Sequence, residues 1–474
     1  MIDNKKSKFS KVLGTTDVMM VAFGAMIGWG WVVSSGNWIQ QGGILGTALG
    51  FVIGGIMIYF VGLCYAELTT SMPLNGGTHV FSYKAFGPVG SFVCSWAIIL
   101  SYIGVVCFEA VSLPTILQYI FPNMMQGYLY SVAGFDIYAS WLALAIVFAV
   151  VITLINIVGT KKAAVLQNVL TLVIALVGIV LMVASLFTGE MSNIEGQMFA
   201  GETVGLKIEN IVAVAITTPF FFFGFDVIPQ AAEEINVPLK KLGKLMMLSI
   251  VMAVVFYVMV VVSVGYIMSS TDIAASMGTT GLVTADAMAK AFSSEMMAKV
   301  LIIGGLCGII TSWNSFIIGG SRALFSMAET YMIPKGFSKL NKSKAPINAL
   351  LLVGALSVAA PFFGRVMLTW IVDASNFACC LAYCMVSLSF IIIRKKEPDL
   401  ERPYKVKNHM LVGILAVAMA GGMAAMYIIP GTACTLIWQE WVIVGGWAVL
   451  GLVFALWSKW RYKEKFAVNI MNID

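Results

Sequence analysis

Two apolar stretches of this sequence combine residues that break helices with groups that could bind a small charged molecule. Residues 24–31 contain three glycines, and residues 219–229 contain two prolines, a glycine and Asp226. Glycine inside a helix costs about 1 kcal/mol relative to alanine, and proline removes an amide donor and clashes with the preceding turn. We therefore expect both helices to open at these points. Opened segments expose amides that can bind a carboxylate and carbonyls that can bind an ammonium group.

The residues expected to supply these groups come from both segments. Amides are expected from Met26, Ile27, Gly28, Trp29 and Gly30, and carbonyls from Phe222, Phe223, Gly224, Phe225 and Asp226. Two structural interpretations stay open beside this one. Glycines also let membrane helices pack closely, and an aspartate can cap the end of an opened helix.

A third apolar run contains a single carboxylate, Glu109. An ionisable residue inside a membrane is costly and by default marks a functional site. An unpaired buried charge costs on the order of several kcal/mol, so this group either holds a proton or faces a positive charge on a bound molecule. A protonated or paired glutamate with a purely structural role is the alternative.

The helices that position these groups must lie in a membrane. Hydrophobic residues make up 60% of the 474 residues and charged residues only 11%, against about 25% charged in soluble domains. The apolar residues form runs of the roughly 20 residues that span a bilayer as a helix, without the alternation of a membrane barrel. The composition therefore predicts an all-α protein with several membrane-spanning helices.

The charge, cysteine and histidine content disfavour other classes of protein. The net charge of +6 is spread between the apolar runs, which argues against nucleic-acid binding. Eight cysteines form no CxxC pair and there are only two histidines, so neither a disulfide framework nor a zinc site nor another cofactor is expected. An enzyme would need a nucleophile with a base, or a metal cluster. The expected partners are instead a small molecule and membrane lipids.

Twelve membrane spans are predicted along the chain. They cover residues 15–40, 43–70, 89–120, 139–158, 163–187, 208–235, 244–269, 296–328, 347–363, 367–393, 411–429 and 436–458. The resulting units are a tail (1–14), a ten-helix core (15–393), a loop (394–410), helices 11 and 12 (411–458) and a second tail (459–474). The interrupted spans are the first and the sixth, as in an inverted repeat of five plus five helices.

Basic residues predict the orientation of these spans. Of the 29 lysines and arginines, 25 fall on one side of the arrangement and the others, Lys207, Lys290, Lys299 and Arg365, on the opposite side. Basic residues are retained in the cytoplasm during insertion and are attracted to anionic lipid of the inner leaflet. Both termini are therefore expected in the cytoplasm, and the protein in the plasma membrane.

Four segments occur in a fixed order along the chain. They are GAMIGWG at 24–30, YAEL with PLNGG at 65–77, FGFD with AAEE at 223–234, and GGSRALFSMAE at 319–329. Together they resemble signatures of the amino acid–polyamine–organocation transporters, over nearly the whole chain. The resemblance implies a leucine-transporter-type fold and a permease that moves amino acids by alternating access. It also implies that the third helix near Glu109 lines the substrate cavity.

Two departures from the family pattern bear on the mechanism. Trp29 stands where a small residue is usual and either fills part of the pocket or forms an aromatic wall. Ile174 stands where proton-coupled relatives often carry a lysine. Thr311 and Ser312 resemble the paired hydroxyls that complete a sodium site in sodium-coupled relatives, although helix hydroxyls also bond their own backbone. The coupling ion, sodium or a proton, stays open, as does the choice between symport and antiport.

A different substrate is the main alternative that the sequence leaves open. A polyamine or another organic amine would lack the carboxylate that the glycine-rich segment is expected to bind. Glu109, Asp226 and the tryptophans favour such an amine, whereas the glycine-rich segment favours an amino acid. A nutrient sensor is the weaker alternative, because a sensor would usually carry a soluble output domain and none is predicted.

Overall fold

A computed structural model describes residues 9–432 and 434–468, and these residues form a bundle of helices. In chain order the helices are α1 Thr15–Met26, α2 Gly30–Val33, α3 Ser35–Gly42, α4 Ile44–Ser71, α5 Gly77–Ile120, α6 Ala139–Val158, α7 Thr160–Thr188, α8 Met191–Glu195, α9 Val204–Phe221, α10 Val227–Gln230, α11 Leu239–Ile267, α12 Ser270–Thr279, α13 Val283–Phe292, α14 Glu295–Glu329, α15 Ile347–Ala359, α16 Val366–Lys396, α17 His409–Met426 and α18 Trp438–Tyr462. The outer parts of both predicted tails, residues 1–8 and 469–474, lie outside the described residues.

Most of these helices have the length and composition of membrane spans. Within the described residues, eleven helices are long and apolar enough to cross a membrane. The ninth predicted span corresponds to a shorter apolar helix, Ile347–Phe363, which contains α15. The prediction of a helical membrane protein is confirmed, whereas the count of twelve spans depends on this short helix.

Three predicted loops contain secondary structure that the sequence analysis did not anticipate. After α5, the strands β1 Tyr128–Val132 and β2 Phe135–Tyr138 pair as an antiparallel hairpin. Its two turn residues both have positive φ, 46° and 85°, as tight hairpin turns require. The predicted loops 188–207 and 270–295 contain α8, α12 and α13, which are too short to span a membrane and therefore escape a search for long apolar runs.

Both helix breaks occur where the sequence predicts them. Residues 27–29 separate α1 from α2, and residues 222–226 form turns between α9 and α10. Gly224 has φ = 141°, a conformation open to glycine and few other residues. A Cβ at this position would lie 2.6 Å from the Cβ of Ala25 and 3.0 Å from the carbonyl oxygen of Ala22. The second break therefore lies directly against α1.

One end of the bundle is closed by the segment that precedes α1. The N–H group of Leu13 donates to the carbonyl oxygen of Glu234 at 2.9 Å, and that of Asn236 donates back to Leu13 at 2.8 Å. The side chain of Glu234 forms an ion pair with Arg322 of α14, with 2.7 Å between Oε1 and Nε. Both side chains are almost fully buried. The N-terminal segment is thus fixed across the ends of α10 and α14.

The two described ends of the chain lie at this same end of the bundle. Phe9 packs edge-on against Phe325, with 5.0 Å between the ring centroids. Tyr462, the last residue of α18, packs against Tyr331, with 5.1 Å between the centroids. Phe325 lies in the last two turns of α14, and Tyr331 lies two residues beyond the end of that helix. An even number of membrane crossings would produce this arrangement.

Candidate functional site

The first helix break packs against two glycines of α14. A Cβ at Gly308 would lie 2.9 Å from the carbonyl oxygen of Gly28, and a Cβ at Gly305 would collide with the ring of Trp29. Glycine is used where another backbone or a large ring must approach closely. Trp29 is only 1% exposed. Its side chain therefore fills the space between the break and α14.

The first break leaves three consecutive amides free. Among the described residues, no hydrogen bond uses the backbone N–H of Gly28, Trp29 or Gly30 as its donor. The N–H of Ile27, by contrast, donates to the carbonyl oxygen of Phe23 at 2.9 Å, and Met26 belongs to the last turn of α1. The amides that could bind an anion are thus those of residues 28–30, a narrower set than the sequence predicts.

The second break leaves two carbonyl groups free. The carbonyl oxygens of Gly224 and Phe225 accept hydrogen bonds from the amides of residues 227 and 228, at 3.1 Å and 3.3 Å. No hydrogen bond among the described residues ends on the carbonyl oxygen of Phe222 or Phe223. Both of these residues are buried. A buried, unpaired carbonyl is costly, so these two groups are the candidates for binding a substrate ammonium group.

Asp226 stabilises the second break itself. Its Oδ1 accepts a hydrogen bond from the amide of Gly224 at 2.9 Å. Its Oδ2 accepts one from the hydroxyl of Tyr102 in α5 at 2.8 Å. Asp226 is completely buried, and both carboxylate oxygens are engaged. This geometry supports a structural role, although not as a helix cap: the side chain holds the turns of the break to α5 and makes no hydrogen bond to the first amides of α10.

Glu109 lies beside the first break. Its Oε1 accepts a hydrogen bond from the hydroxyl of Ser312 in α14. A Cβ at Gly28 would lie 3.0 Å from the Ser312 hydroxyl and 3.4 Å from Oε1 of Glu109. The other carboxylate oxygen, Oε2, is buried and has no hydrogen-bond partner among the described residues. Three residues predicted separately, from α5, α14 and the first break, are therefore brought together.

The hydroxyl of Thr311 lies at the start of the same break. It is within donor distance of the carbonyl oxygens of Gly24, at 3.0 Å, and Gly308, at 2.9 Å. Two carbonyls and a hydroxyl are suitable ligands for sodium, and the hydroxyl can also donate its proton to one of these carbonyls. Ser312, the second predicted sodium ligand, is directed to Glu109 instead. Ile174 is fully buried and would collide with a Cβ at Gly308, so an apolar group occupies the position of the lysine.

Three buried tyrosines near the breaks were missed by the sequence analysis. Tyr102 holds Asp226, and the hydroxyl of Tyr257 in α11 donates to the carbonyl oxygen of Met26 at 2.8 Å. Tyr383 in α16 packs against Phe223 and has no hydrogen-bond partner for its hydroxyl among the described residues. All three lie in apolar runs, where nothing in the sequence distinguishes them from tyrosines at a membrane surface.

Comparison with known protein families matches nearly the whole chain to one family model. Residues 17–471 match the family model described as amino acid permease. The chain belongs to this family. The permease is 25% identical to the methylthioribose transporter of Bacillus subtilis, over 96% of its own length and 95% of that protein. It is also 25% identical to the branched-chain amino acid permease BcaP of the same organism, over 96% and 94% of the two chains.

A third relative is named for another substrate. The permease is 24% identical to the histidine permease HisP of Lactococcus lactis subsp. cremoris, over 96% of each chain. The relatives are named for a thioether sugar, branched-chain amino acids and histidine. Family membership therefore establishes a multi-pass membrane transport protein but not which substrate it carries.

Proposed function

We propose that this permease is a secondary active transporter that moves amino acids across the plasma membrane by alternating access. The free amides of residues 28–30 bind the substrate carboxylate, and the free carbonyls of Phe222 and Phe223 bind its ammonium group. The single observation that supports this proposal is that the second break lies against the last turns of α1, 2.6 Å from a Cβ on Gly224 to the Cβ of Ala25, so the free acceptors and the free donors belong to neighbouring segments. Opened helices in transporters use these groups in this way.

The proposed topology has twelve spans, with an inverted repeat of five plus five helices and both termini in the cytoplasm. The breaks in the first and sixth spans support the repeat. The distribution of 25 basic residues against four supports the orientation. The contacts of Phe9 and Tyr462 with the end of α14 support an even number of crossings, with Ile347–Phe363 as the ninth span.

The proposed coupling ion is a proton that binds to Glu109. A substrate carboxylate at the amides of residues 28–30 would lie close to this side chain, because a Cβ on Gly28 would be 3.4 Å from Oε1 of Glu109. Two negative charges about 5 Å apart repel by about 3 kcal/mol even at an effective dielectric constant of 20. A proton on Glu109 removes the repulsion, so substrate and proton bind together. The bond from Ser312 holds the carboxyl group in place in either state.

An amine without a carboxylate is the alternative substrate, and the free Oε2 of Glu109 favours it. In that case Glu109 stays ionised and binds the positive charge of the substrate directly. The carboxylate-binding amides would then have no role in substrate recognition. The two substrate classes therefore make opposite predictions for binding when the carboxylate of the substrate is removed.

Matched pairs of compounds separate the two substrate classes. The purified permease in liposomes is tested for uptake of labelled amino acids, with each amino acid and its decarboxylated amine as competitors. The proposal expects competition by the amino acid and at least about tenfold weaker competition by the amine, since the loss of a charge-assisted hydrogen bond costs about 1.5–3 kcal/mol. Equal or stronger competition by the amine would establish the alternative.

A further inference from the structure

A groove of about 490 Å³ runs along the outer surface of the bundle, away from the two breaks. It lies between α5, α16 and α18, and all the side chains that line it are apolar. Two of them are Trp96 and Trp447, whose rings stack at 4.3 Å between centroids. Each indole donates to the backbone carbonyl of the other tryptophan, at 2.7 Å and 2.8 Å. The polar edges of both rings are thereby satisfied, and the groove presents only hydrocarbon.

The length of the groove corresponds to one leaflet of a bilayer. On α5 it extends from Pro88 to Leu100, which is about 18 Å at 1.5 Å per residue. The hydrocarbon core of a membrane is about 30 Å thick, so the groove covers about half of it. Val89 is 78% exposed and Leu452, on the α18 side, is 57% exposed. The groove is therefore open sideways, towards the lipid.

The chain that follows α18 folds across one end of the groove. Phe466 lines the groove, and its amide donates to the carbonyl oxygen of Lys463 at 3.0 Å. The hydroxyl of Tyr83 donates to the carbonyl oxygen of Ala467 at 2.8 Å and fixes the segment. The preceding exposed residues carry four basic side chains and one acidic side chain: Lys459, Arg461, Lys463, Lys465 and Glu464. The segment that crosses one end of this apolar groove therefore carries net positive charge.

We propose that this groove binds one anionic phospholipid. One acyl chain lies in the groove, because it offers apolar surface and needs no hydrogen bonds. The phosphate headgroup lies at the mouth, among the basic side chains of residues 459–465. Basic sites beside membrane helices bind anionic headgroups in this manner. The lipid would connect α18 to α5 and α16, the helices that carry Glu109 and Tyr383.

Native mass spectrometry of the full-length protein tests this site. The protein is equilibrated with equal amounts of phosphatidylglycerol and phosphatidylcholine, and the bound lipid is identified. Ala448→Trp fills the groove from an exposed position, and a double variant, Lys463→Ser with Lys465→Ser, removes two charges at its mouth. The matched controls are Val169→Trp on the exposed face of α7 and a second double variant, Lys161→Ser with Lys162→Ser.

The wild type and both controls are expected to retain one phosphatidylglycerol in preference to phosphatidylcholine. Ala448→Trp is expected to lose it, and the charge variant to lose about fivefold in preference for each lysine removed. Equal retention of the two lipids by the wild type would overturn the anionic headgroup. Retention of phosphatidylglycerol by Ala448→Trp, with an unchanged thermal unfolding temperature, would overturn the groove. Neither readout involves transport, so failure here is separate from failure of the proposed function.

Discussion

Glu109 in α5 accepts a hydrogen bond from Ser312 in α14, and Gly28 lies against both side chains. The two residues are 203 positions apart in the sequence. Their hydrogen bond joins α5 to α14 beside the interruption that follows α1. Only one oxygen of the carboxyl group is engaged, since Oε2 has no partner among the described residues. A fixed carboxyl group with one free oxygen can hold a proton or a cation without a change in its own position.

Glu109→Gln is expected to keep the fold and to abolish the dependence of uptake on a proton gradient. The amide oxygen of glutamine can still accept from Ser312, so the thermal unfolding temperature should change little. Substrate exchange across liposomes should continue, because a neutral side chain imitates the protonated glutamate. Uptake is measured with and without an inwardly directed pH gradient.

The control for this variant is Glu202→Gln, an exposed position between α8 and α9. It should leave both exchange and pH dependence unchanged. If Glu109→Gln instead loses cationic substrates and retains neutral ones, the carboxylate binds substrate charge. Unchanged pH dependence together with an unchanged substrate range would reduce Glu109 to a structural residue.

Gly28→Ala is expected to weaken substrate binding at least about tenfold, which corresponds to 1.4 kcal/mol. The added methyl group would meet the Ser312 side chain at 3.0 Å and displace it from Glu109. Gly320→Ala is the matched control, since its methyl group would make only ordinary contacts, at 3.6 Å or more. Isothermal titration measures both affinities. Equal affinity of Gly28→Ala and wild type would place the substrate elsewhere.

Replacement of sodium by choline is expected to leave uptake unchanged. The proposed coupling ion is a proton on Glu109, and Ser312, the second hydroxyl of the predicted sodium site, is directed to that carboxyl group. The hydroxyl of Thr311 donates to the backbone carbonyl groups beside it. Thr311→Ala should therefore cost about 1 kcal/mol of stability through the lost hydrogen bond, without a change in ion dependence. A sodium-dependent affinity that disappears in Thr311→Ala would establish the sodium site and contradict proton coupling.

Single cysteines test the proposed topology. Lys161→Cys and Lys342→Cys are expected to react only with reagents on the cytoplasmic side, and Glu202→Cys only with reagents outside. All three positions are exposed. The parent protein, which has eight free cysteines in the structure, provides the background for labelling. A reversed result at any of the three positions would contradict the twelve-span topology.

The sequence alone predicts the positions of both helix breaks, because the residues that cause each break lie within the break itself. Glycines at 24–30 and prolines around Asp226 weaken a helix wherever it packs. It could not decide the role of Asp226, since this depends on Tyr102, which is 124 residues away in the chain. The β-hairpin after α5 was missed for a different reason: its two strands span only 5 and 4 residues.

The sequence also suggested Glu109 and Ser312 separately, without a reason to pair them. The sequence pairs Ser312 with its neighbour Thr311 as a sodium ligand, because adjacent hydroxyls are visible in a sequence and the directions of side chains are not. In the structure the two hydroxyls point to different partners, Thr311 to the backbone of α1 and Ser312 to α5. The free amides of residues 28–30 could likewise be counted only after the backbone was known.

The isolation of Glu109 from any positive side chain has an electrical consequence. No ion pair involves this residue among those described, and Ile174 supplies no fixed charge nearby. In the proposed cycle, the carrier loaded with a proton and a zwitterion bears one negative charge fewer than the empty carrier. One charge that crosses the membrane gains about 2.3 kcal/mol per 100 mV. An inside-negative potential therefore drives the empty carrier outwards, so net uptake should accelerate with voltage while exchange does not.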